Sequence, residues 1–336
     1  MALPAAANPP IGQGKPSPLP TAGEPNLRER CRRTRADRCP GVLRPYPAAD
    51  GGLARIRLSG GRLTAGQLEA LGRAAEQLGN GAVELTSRAN VQLRGLAPGR
   101  ERALAQLLAD HGLFPSPAHD RVRNLLANPL AGRHPAALAD PDPVVAALDR
   151  EICRRPSLAR LSGRFLFAVE DGSGVAIRAD WDLAALAVPG GWQLGIAGTA
   201  WRRPDPQPLS APQVAALVAA GAEAFLELRL KERLSAWRAV EVEGVAERLA
   251  GRLRLVAAQR RPPQPTPLVP GLLRQRDGRW AVTAVAQRLD PARLRALAAL
   301  AEEGVRIGWE RTVTVLDLPA ERAADLHRRL REVVAS

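Results

Sequence analysis

Arginine and amide side chains recur at every second position in two short stretches of this chain. In residues 53–58, Arg55 and Arg57 alternate with apolar residues. In residues 83–94 the same alternation places on one face Glu84, Thr86, Arg88, Asn90, Gln92 and Arg94. Because a guanidinium fork binds a carboxylate through two parallel hydrogen bonds, two strands that share such a face are suited to hold several carboxylates at once. An ordinary solvated sheet face shows the same alternation, and it is the alternative interpretation.

The spacing of apolar residues also predicts the elements that carry these side chains. Residues 53–58 and 83–94 are predicted as strands, since their apolar residues recur with a period of two, and a strand-turn-strand is built around residues 86–95. Between them, Thr64 with Gln67 three residues later has the spacing of a capping box, so a helix is predicted to begin there and to end at the glycines after its last apolar residue. With a further helix over about 100–111, the order is strand, helix, strand, strand, helix.

This order of elements recurs near the C-terminal end of the chain. A strand over about 280–286, a helix begun by Asp290-Pro291, two short strands and a last helix repeat it, and Arg62-Leu63 aligns with Arg288-Leu289. Two copies predict a pair of half-domains related by a pseudo-twofold axis. The polar face of the second copy carries Thr283, Arg306, Thr312 and Thr314. It is polar but far less charged than the face of the first copy. We therefore expect the first copy to hold the acidic groups of a ligand and the second to complete the walls.

Composition and turn residues divide the chain into five parts, and the expected fold class is α+β. Residues 1–38 are rich in Pro, Gly and Arg without periodicity and are expected to be a disordered lead-in. The two copies occupy 39–116 and 271–336. An α/β segment over 119–258 lies between them, and the proline-rich residues 259–270 are predicted as a linker into the second copy.

Charge and hydropathy limit the classes of function. The formal net charge is +14 and the pI near 11.3, yet Lys15 and Lys231 are the only lysines among the 48 basic residues. Such an arginine bias is typical of GC-rich coding and weakens the argument from charge to nucleic acid, for which the sequence carries no reading motif. No stretch approaches eighteen consecutive apolar residues and no signal-peptide core is present, so we expect a cytoplasmic protein without a membrane span.

Other residues with chemical potential have plain structural interpretations beside the functional ones. His119 with Asp120 could take part in proton transfer or could lie at the start of a helix. Glu170-Asp171-Gly172 could supply a pair of catalytic acids or could form a turn. The histidines, at positions 111, 119, 134 and 327, are too dispersed to predict a metal site. Three cysteines, Cys31, Cys39 and Cys153, are odd in number and scattered, which argues against a disulfide framework; Cys39 is either structural or a redox residue.

Several of these stretches together resemble a known family. Thr86-Ser87-Arg88, followed by Gln92 and Arg94-Gly95, is similar to the T-S-R-x-x-x-Q-x-R-G signature of the nitrite and sulfite reductase superfamily, and residues 123–132 resemble its second block. Further matching blocks are Cys39-Pro40-Gly41, Arg55-Ile56-Arg57, residues 161–167, Ala236-Trp237-Arg238 and residues 306–311. Within the superfamily, this combination most closely resembles the precorrin-3B synthase family of aerobic cobalamin biosynthesis, over about residues 39–336.

The resemblance implies a fold, a reaction and a site. Members are built from two ferredoxin-like half-domains with an inserted α/β domain of the nitrite/sulfite reductase type, and they use molecular oxygen to hydroxylate precorrin-3A with formation of a γ-lactone. Carried over by position, Arg88 and Arg123 match arginines that meet the tetrapyrrole or its central ligand, and these are the catalytic candidates. The candidates for binding the tetrapyrrole are Arg55, Arg57, Thr86, Asn90, Gln92, Arg94, Asn124, Arg164 and Arg306.

Two departures from the family pattern concern its cofactors. Siroheme reductases carry Lys-x-Lys where this chain has Arg164-Phe165-Leu166, and the missing cation argues against reduction of sulfite or nitrite. The family also uses iron and a 4Fe-4S cluster held by four cysteines, and three scattered cysteines do not supply four thiolates. The cysteines thus argue against cluster binding by this chain, and four explanations stay open: electrons from a separate chain, a reaction that does not need the cluster, activity lost together with it, or a truncated gene model.

Four functions remain open at this point. The first is a precorrin-3B synthase or a relative that acts on the same tetrapyrrole. The second is a non-catalytic tetrapyrrole-binding protein, and the third a siroheme-type nitrite or sulfite reductase relative. An arginine-rich nucleic-acid-binding protein is the weakest, because the arginines follow composition and do not form a stripe.

Overall fold

Three β-sheets with helices packed on them make up the computed structural model, which describes residues 37–178, 180–205, 207–301 and 303–334. The predicted lead-in 1–38 lies outside the described residues except for Asp37 and Arg38, and Cys31 lies outside them too. The mixed architecture confirms the α+β fold class expected from the sequence.

The first copy of the repeat forms a five-stranded sheet with helices on one face. Its elements are β1 (Tyr46–Ala48), β2 (Gly51–Ile56), β3 (Arg62–Leu63), α1 (Ala65–Leu78), β4 (Val83–Leu85), β5 (Val91–Leu96) and α2 (Glu101–Ala109). The predicted capping box is confirmed, since the Thr64 hydroxyl accepts from the Gln67 backbone N–H while the Gln67 side chain accepts from the Thr64 N–H.

The middle of the chain forms a six-stranded sheet covered by helices. Its elements are β6 (Leu125–Ala127), α3 (Asp142–Arg154), β7 (Phe167–Glu170), β8 (Leu183–Val188), β9 (Gly191–Ile196), β10 (Thr199–Arg202), α4 (Ala211–Lys231), α5 (Val245–Arg252) and β11 (Val256–Ala257). The strand order is β11-β10-β9-β8-β7-β6, with β6, β7 and β8 parallel and the others antiparallel. Parallel neighbours need crossover connections, which explains the long segments between these strands.

Helix α4 is long and apolar enough, by length and composition, to cross a membrane, and in the described part of the chain it alone meets that criterion. Half of its most apolar window is buried inside the structure, where Phe225 packs on Phe165. Its apolar composition is therefore that of a core helix that covers the central sheet.

The second copy repeats the elements of the first. They are β12 (Gly271–Arg274), β13 (Trp280–Val285), β14 (Arg288–Leu289), α6 (Pro291–Leu300), β15 (Val305–Gly308), β16 (Thr312–Leu318) and α7 (Ala320–Val334). Asp290 caps α6 by accepting from the Arg293 backbone N–H, as its position before Pro291 predicts. The repeat expected from the sequence is thus present in the fold.

The two copies exchange their shortest strands. The sheet of the first copy has the order β1-β2-β5-β4-β14, so its last strand comes from the second copy. The sheet of the second copy has the order β12-β13-β16-β15-β3, so its last strand comes from the first. The registers are equivalent, with Leu289 opposite Val83 and Leu63 opposite Val305. Arg62-Leu63 and Arg288-Leu289, which align in the sequence, are these exchanged strands.

One hydrophobic core joins the two copies. Helices α1 and α6 pack together, with Gly72 lying against Pro291. The apolar faces of both sheets contribute to the same buried cluster, which includes Ile56, Leu93, Val282 and Val313. Each such side chain stabilises the fold by about 1.5 to 3 kcal/mol when it is fully buried, so neither copy retains a complete core without the other.

The segment Glu170-Asp171-Gly172 forms a turn, and both of its carboxylates accept hydrogen bonds from other groups of the chain. Glu170 accepts hydrogen bonds from the backbone N–H groups of Gly172, Gly174 and Ala176. Asp171 accepts from Asn128 and from Ser173. Burial, together with the neighbouring charge of Asp171, raises the pKa of Glu170 from 4.5 to about 7. The turn interpretation is therefore sufficient for these two acids.

Replacement of Gly304 by alanine is expected to disrupt the exchanged strand. Its φ of +87° disfavours any L side chain, and a Cβ there would lie 2.1 Å from the Leu63 carbonyl oxygen. Gly81, with a φ of +83° and open space around its Cβ position, is the matched control. We expect Gly81→Ala to lower the free energy of unfolding by about 1 to 2 kcal/mol and Gly304→Ala by about 3 kcal/mol or more, measured by urea denaturation. Equal losses would contradict the role of the close approach.

Stability is expected to fall as Glu170 ionises. Because its pKa is raised in the folded state, the stabilisation is complete below the unfolded value of 4.5 and is lost as the pH rises through about 7. The side chain in Glu170→Gln is neutral at every pH. Between the two pKa values, the free energy of unfolding of this variant should therefore change by about 2 to 3 kcal/mol less than that of the unsubstituted protein. Denaturant midpoints measured across the window test this, with Glu76→Gln on the exposed side of α1 as the control. Parallel curves for Glu170→Gln and the unsubstituted protein would overturn the assignment.

Candidate functional site

A row of four polar side chains crosses the sheet of the first copy. Arg55 on β2 is the register partner of Gln92 on β5, Gln92 is the partner of Glu84 on β4, and Glu84 is the partner of Arg288 on β14. These four residues are called the first row below. Since neighbouring strands lie about 4.8 Å apart, the first row spans about 14 Å between the Cα atoms of Arg55 and Arg288.

Hydrogen bonds orient the middle of the first row. The Arg55 Nη2 donates to Gln92 Oε1 at 3.0 Å, and the Gln92 Nε2 donates to Glu84 Oε2 at 2.6 Å. Because Arg55 donates to one side of the Gln92 amide, the other side must be the donor toward Glu84. The row therefore alternates in character from cation to amide to carboxylate to cation.

A cavity of about 480 Å³ opens above the first row. Its lining comes from both copies: Arg55, Glu84, Leu85, Thr86, Ser87, Gln92, Gln287, Arg288 and Arg311. The Arg311 Nε donates to the Leu85 carbonyl oxygen at 3.1 Å, which ties the second copy to the cavity wall. Within the described residues, no salt bridge holds Arg55, Arg288 or Arg311, so all three guanidinium groups are available to an anion.

Arg57 lies beside this cavity as a buried cation. Its side chain is 3% exposed and donates to the carbonyl oxygens of Arg121 and Pro40, while its Nη1 has no partner. Burial, together with the nearby charge of Arg55, lowers the pKa of Arg57 to about 9. A buried guanidinium with only neutral acceptors is unfavourable, and a bound anion would offset that cost.

Arg88 and Arg164 extend the positive charge next to Arg57. The Arg88 Nη1 donates to the Arg164 carbonyl oxygen at 3.2 Å, and the Arg164 guanidinium lies 4.8 Å from the ring centre of Trp237. Burial lowers the pKa of Arg88, and the nearby charge of Arg238 adds to this effect. The loop carrying Arg88 also pairs with Trp309, so this region lies next to the second copy as well.

Cys39 lies close to the same arginines but has the character of a structural thiol. Burial raises its pKa, and the charge of Asp37 raises it further. Its Cβ packs where a side chain on Gly163 would stand, at 2.6 Å from the Cβ position of that glycine. A raised pKa disfavours the thiolate, which is the reactive form.

Thr86, Asn90 and Asn124 hold the loop that follows β4. The Thr86 hydroxyl accepts from the Asn90 backbone N–H, and Asn90 Oδ1 accepts from the Leu58 N–H. Asn124 donates to the carbonyl oxygens of Gly163 and Phe165 and accepts from Asn90. Asn90 and Asn124 are therefore buried scaffold residues, whereas Thr86 also lines the cavity.

Three of the arginines singled out in the sequence form ion pairs away from the cavity lining. Arg94 pairs with Asp50 at the edge of the first sheet, at 2.9 Å. Arg123 pairs with Asp149 of α3 at 2.8 Å and also donates to Ser59. Arg306 binds both carboxylate oxygens of Asp142 at the start of α3. Their carboxylate partners are far away in the sequence, which is why strand alternation alone did not reveal them.

An equivalent row crosses the sheet of the second copy. Thr283, Thr314, Arg306 and Arg62 are successive register partners, and they correspond to Arg55, Gln92, Glu84 and Arg288. Three members of this row are buried, whereas Arg62 is exposed: Thr283 bonds Thr314 at 2.9 Å, and Arg306 is 7% exposed beneath Asp142. The expected difference in charge between the two faces is therefore accompanied by a difference in access.

Five polar residues of the cavity were not predicted from the sequence as ligand-binding candidates: Glu84, Ser87, Gln287, Arg288 and Arg311. Glu84 lies on the same alternating face as Arg88 and Gln92, so its position was visible but its role was not. Arg288 could have been found from its alignment with Arg62, because a repeated strand that crosses between copies carries its side chains into the other sheet. Arg311 lies in the matching block of residues 306–311, and Ser87 in the matching Thr86-Ser87-Arg88, whereas Gln287 carried no signal.

The remaining candidates have structural partners. His119 contacts Ser116 Oγ through Nδ1 and the Arg155 carbonyl oxygen through Nε2. Asp120 accepts from the backbone N–H groups of Val42 and Leu43. Both side chains hold the Cys39-Pro40-Gly41 loop region and the segment before β6 in place, so neither lines the cavity.

The residues present do not fit a 4Fe-4S cluster. Cys39 and Cys153 are both unbridged, and such a cluster needs four thiolates. Across the described ranges, no group of three or more His, Cys, Asp or Glu side chains is arranged to hold a metal ion. No step below therefore depends on a cluster held by these residues.

Comparisons with known proteins agree with this geometry. Residues 46–111 match the family model of the nitrite/sulfite reductase ferredoxin-like half domain. A precorrin-3B synthase from Sinorhizobium sp. is 34% identical over 169 residues, which are 48% of this chain and 35% of that protein. A ferredoxin–nitrite reductase from Synechococcus elongatus is 31% identical over 134 residues, which are 38% of this chain and 26% of that protein. The matches thus span about a third or less of each relative's length.

A solved structure shares the fold. The NirA protein of Mycobacterium tuberculosis superposes with a TM-score of 0.67 and 21% sequence identity, covering 84% of this chain and 57% of that one. The matched half-domain contains β2, β4 and β5, which carry most of the first row. The chain therefore carries a ferredoxin-like half domain of the nitrite/sulfite reductase type over residues 46–111, and it is similar to a precorrin-3B synthase in sequence and to NirA in fold.

Proposed function

We propose that the cavity above the first row binds a tetrapyrrole whose rim carries carboxylates. The observation that carries this proposal is the set of guanidinium groups of Arg55, Arg288 and Arg311, which surround the cavity without salt bridges in the described structure. Arg57 adds a buried cation beside them. A ligand with several carboxylates spaced around a rigid ring matches this distribution better than a single small anion, because it can bind cations on opposite sides of the cavity at once.

We further propose the reaction of precorrin-3B synthase: oxygen-dependent hydroxylation of precorrin-3A with lactone formation, in aerobic cobalamin biosynthesis. The 34% identical relative of that name supports the proposal. One oxygen atom of O₂ enters the product and the other leaves as water, so the reaction consumes two electrons and two protons from a donor outside this cavity. The residues of the first row would bind and orient the ring, and Arg88 would lie next to the reacting region.

A siroheme-dependent nitrite or sulfite reductase is the second candidate, because a nitrite reductase and NirA are also similar to this chain. Such enzymes need cations around a small bound anion. In this chain the position of the second lysine of their Lys-x-Lys pair is Leu166, which is 1% exposed and packs with Ala89 and Leu126. An apolar side chain there favours the tetrapyrrole-modifying reaction.

Alanine replacement of Arg55 or Arg88 is expected to weaken tetrapyrrole binding. A charge-assisted hydrogen bond contributes about 1.5 to 3 kcal/mol, so each variant should bind uroporphyrin, whose rim carries carboxylates, about ten- to a hundredfold more weakly. Calorimetric titration at constant ionic strength measures the change. Arg94→Ala is the control, since it removes the same charge from a side chain that is paired with Asp50. Unchanged binding in Arg55→Ala would remove the first row from the site.

Turnover of precorrin-3A with oxygen separates the enzyme from a carrier. The protein, supplied with a reductant and ¹⁸O₂, should yield a product heavier by one labelled oxygen atom, detected by mass spectrometry. Tight binding without labelled product would instead indicate a non-catalytic tetrapyrrole-binding protein. Reduction of nitrite or sulfite under the same conditions would favour the siroheme-type alternative.

A further inference from the structure

Glu84 is the acidic side chain among the described residues that line the cavity. Its neighbours in the first row are Gln92 on one side and Arg288 on the other. By strand spacing, its Cα lies about 5 Å from that of Arg288 and about 10 Å from that of Arg55. A carboxylate thus lies between the two cations, under the interior of any ligand that reaches both.

The orientation of this carboxylate is set by hydrogen bonds within the first row. Glu84 Oε2 accepts from Gln92 Nε2, and Gln92 is in turn held by Arg55. No hydrogen bond to the other oxygen of Glu84 is found in the described residues, so that oxygen can accept from a ligand in the cavity. Arg288 does not neutralise Glu84 through a salt bridge, although the two are register partners.

A negative charge in this place is unfavourable for a ligand that presents carboxylates only. It repels the rim acids that the arginines attract, and this cost is offset only if the ligand also brings a hydrogen-bond donor over Glu84. A metal-free reduced tetrapyrrole has such donors, because its pyrrole N–H groups lie inside the ring and can turn toward one face. A ring whose four nitrogens bind a metal has none.

Building on the proposed function, we infer that Glu84 accepts hydrogen bonds from the ring N–H groups of a metal-free, reduced tetrapyrrole. The carboxylate thereby discriminates against metal complexes of the same ring, which would leave its charge uncompensated. The arginines of the first row bind the carboxylates at the rim of the ligand, and Glu84 binds the N–H groups at its centre.

Binding of two probes tests this inference. Uroporphyrinogen, kept anaerobic, carries pyrrole N–H groups; copper(II) uroporphyrin carries the same carboxylate rim, and its metal occupies the ring nitrogens in a planar geometry with weak axial binding. Glu84→Gln is expected to weaken uroporphyrinogen binding about tenfold. The same variant should leave the affinity for the copper complex unchanged or improve it. Glu76→Gln, an equal charge change on the opposite side of the sheet, should alter neither affinity.

The outcomes separate this inference from the proposed function. Failure of the unsubstituted protein to bind either probe would overturn the proposed tetrapyrrole site and the inference with it. Binding of both probes, with Glu84→Gln changing both affinities equally or neither, would overturn the inference alone. Because glutamine can still accept the hydrogen bond from Gln92, circular dichroism and denaturant midpoints of the variant should match those of the unsubstituted protein.

Discussion

The reciprocal exchange of two short strands is the constraint on which the rest of this structure depends. Backbone hydrogen bonds of β14 complete the sheet of the first copy, and those of β3 complete the sheet of the second. Each sheet therefore has one edge that only the other copy can cover, and the apolar faces below share one core. The exchange has a chemical consequence as well, because it carries Arg288 from the second copy into the first row.

The pseudo-twofold relation produces two equivalent rows of side chains that differ in how their arginine charges are compensated. In the second row, Arg306 meets Asp142 at the start of α3, so its charge is compensated and its side chain is covered by the middle of the chain. In the first row, no carboxylate of the described residues forms a salt bridge with Arg55 or Arg288, and the adjoining Arg57 is buried with neutral acceptors. Uncompensated buried charge lowers stability, and proteins retain it chiefly where a ligand supplies the missing partner. We therefore propose the first row, with Arg57 beside it, as the ligand-binding one.

Ion pairing divides the arginines of this chain into two groups with different roles. Arg123 and Arg306 pair with Asp149 and Asp142 of α3 and so connect that helix to β6 and to the second copy, whereas Arg94 pairs with Asp50 within the first copy. The arginines that line the cavity have no carboxylate partner within the described residues; Arg55 and Arg311 donate to neutral oxygens of Gln92 and Leu85, and their charges remain available to a ligand. Arginine suits both tasks, because its planar fork binds two oxygens at once and keeps its charge when it is partly buried.

Local patterns in the sequence determined most elements of both copies, because the Thr64 cap and the recurrence of strand, helix and strands depend on neighbours a few residues apart. The alternation in residues 83–94 predicted a strand throughout, but the structure has two strands, Val83–Leu85 and Val91–Leu96, joined by a loop that carries Arg88 and Asn90. They also placed Arg55, Thr86 and Gln92 on the face that lines the cavity. Only the tertiary structure decided which arginines remain unpaired, since Asp50, Asp142 and Asp149 reach their partners across the fold. It alone brought Glu84 and Arg288 side by side, because a two-residue strand has too little sequence pattern to reveal its partner, and strand pairing between copies depends on the shared core beneath.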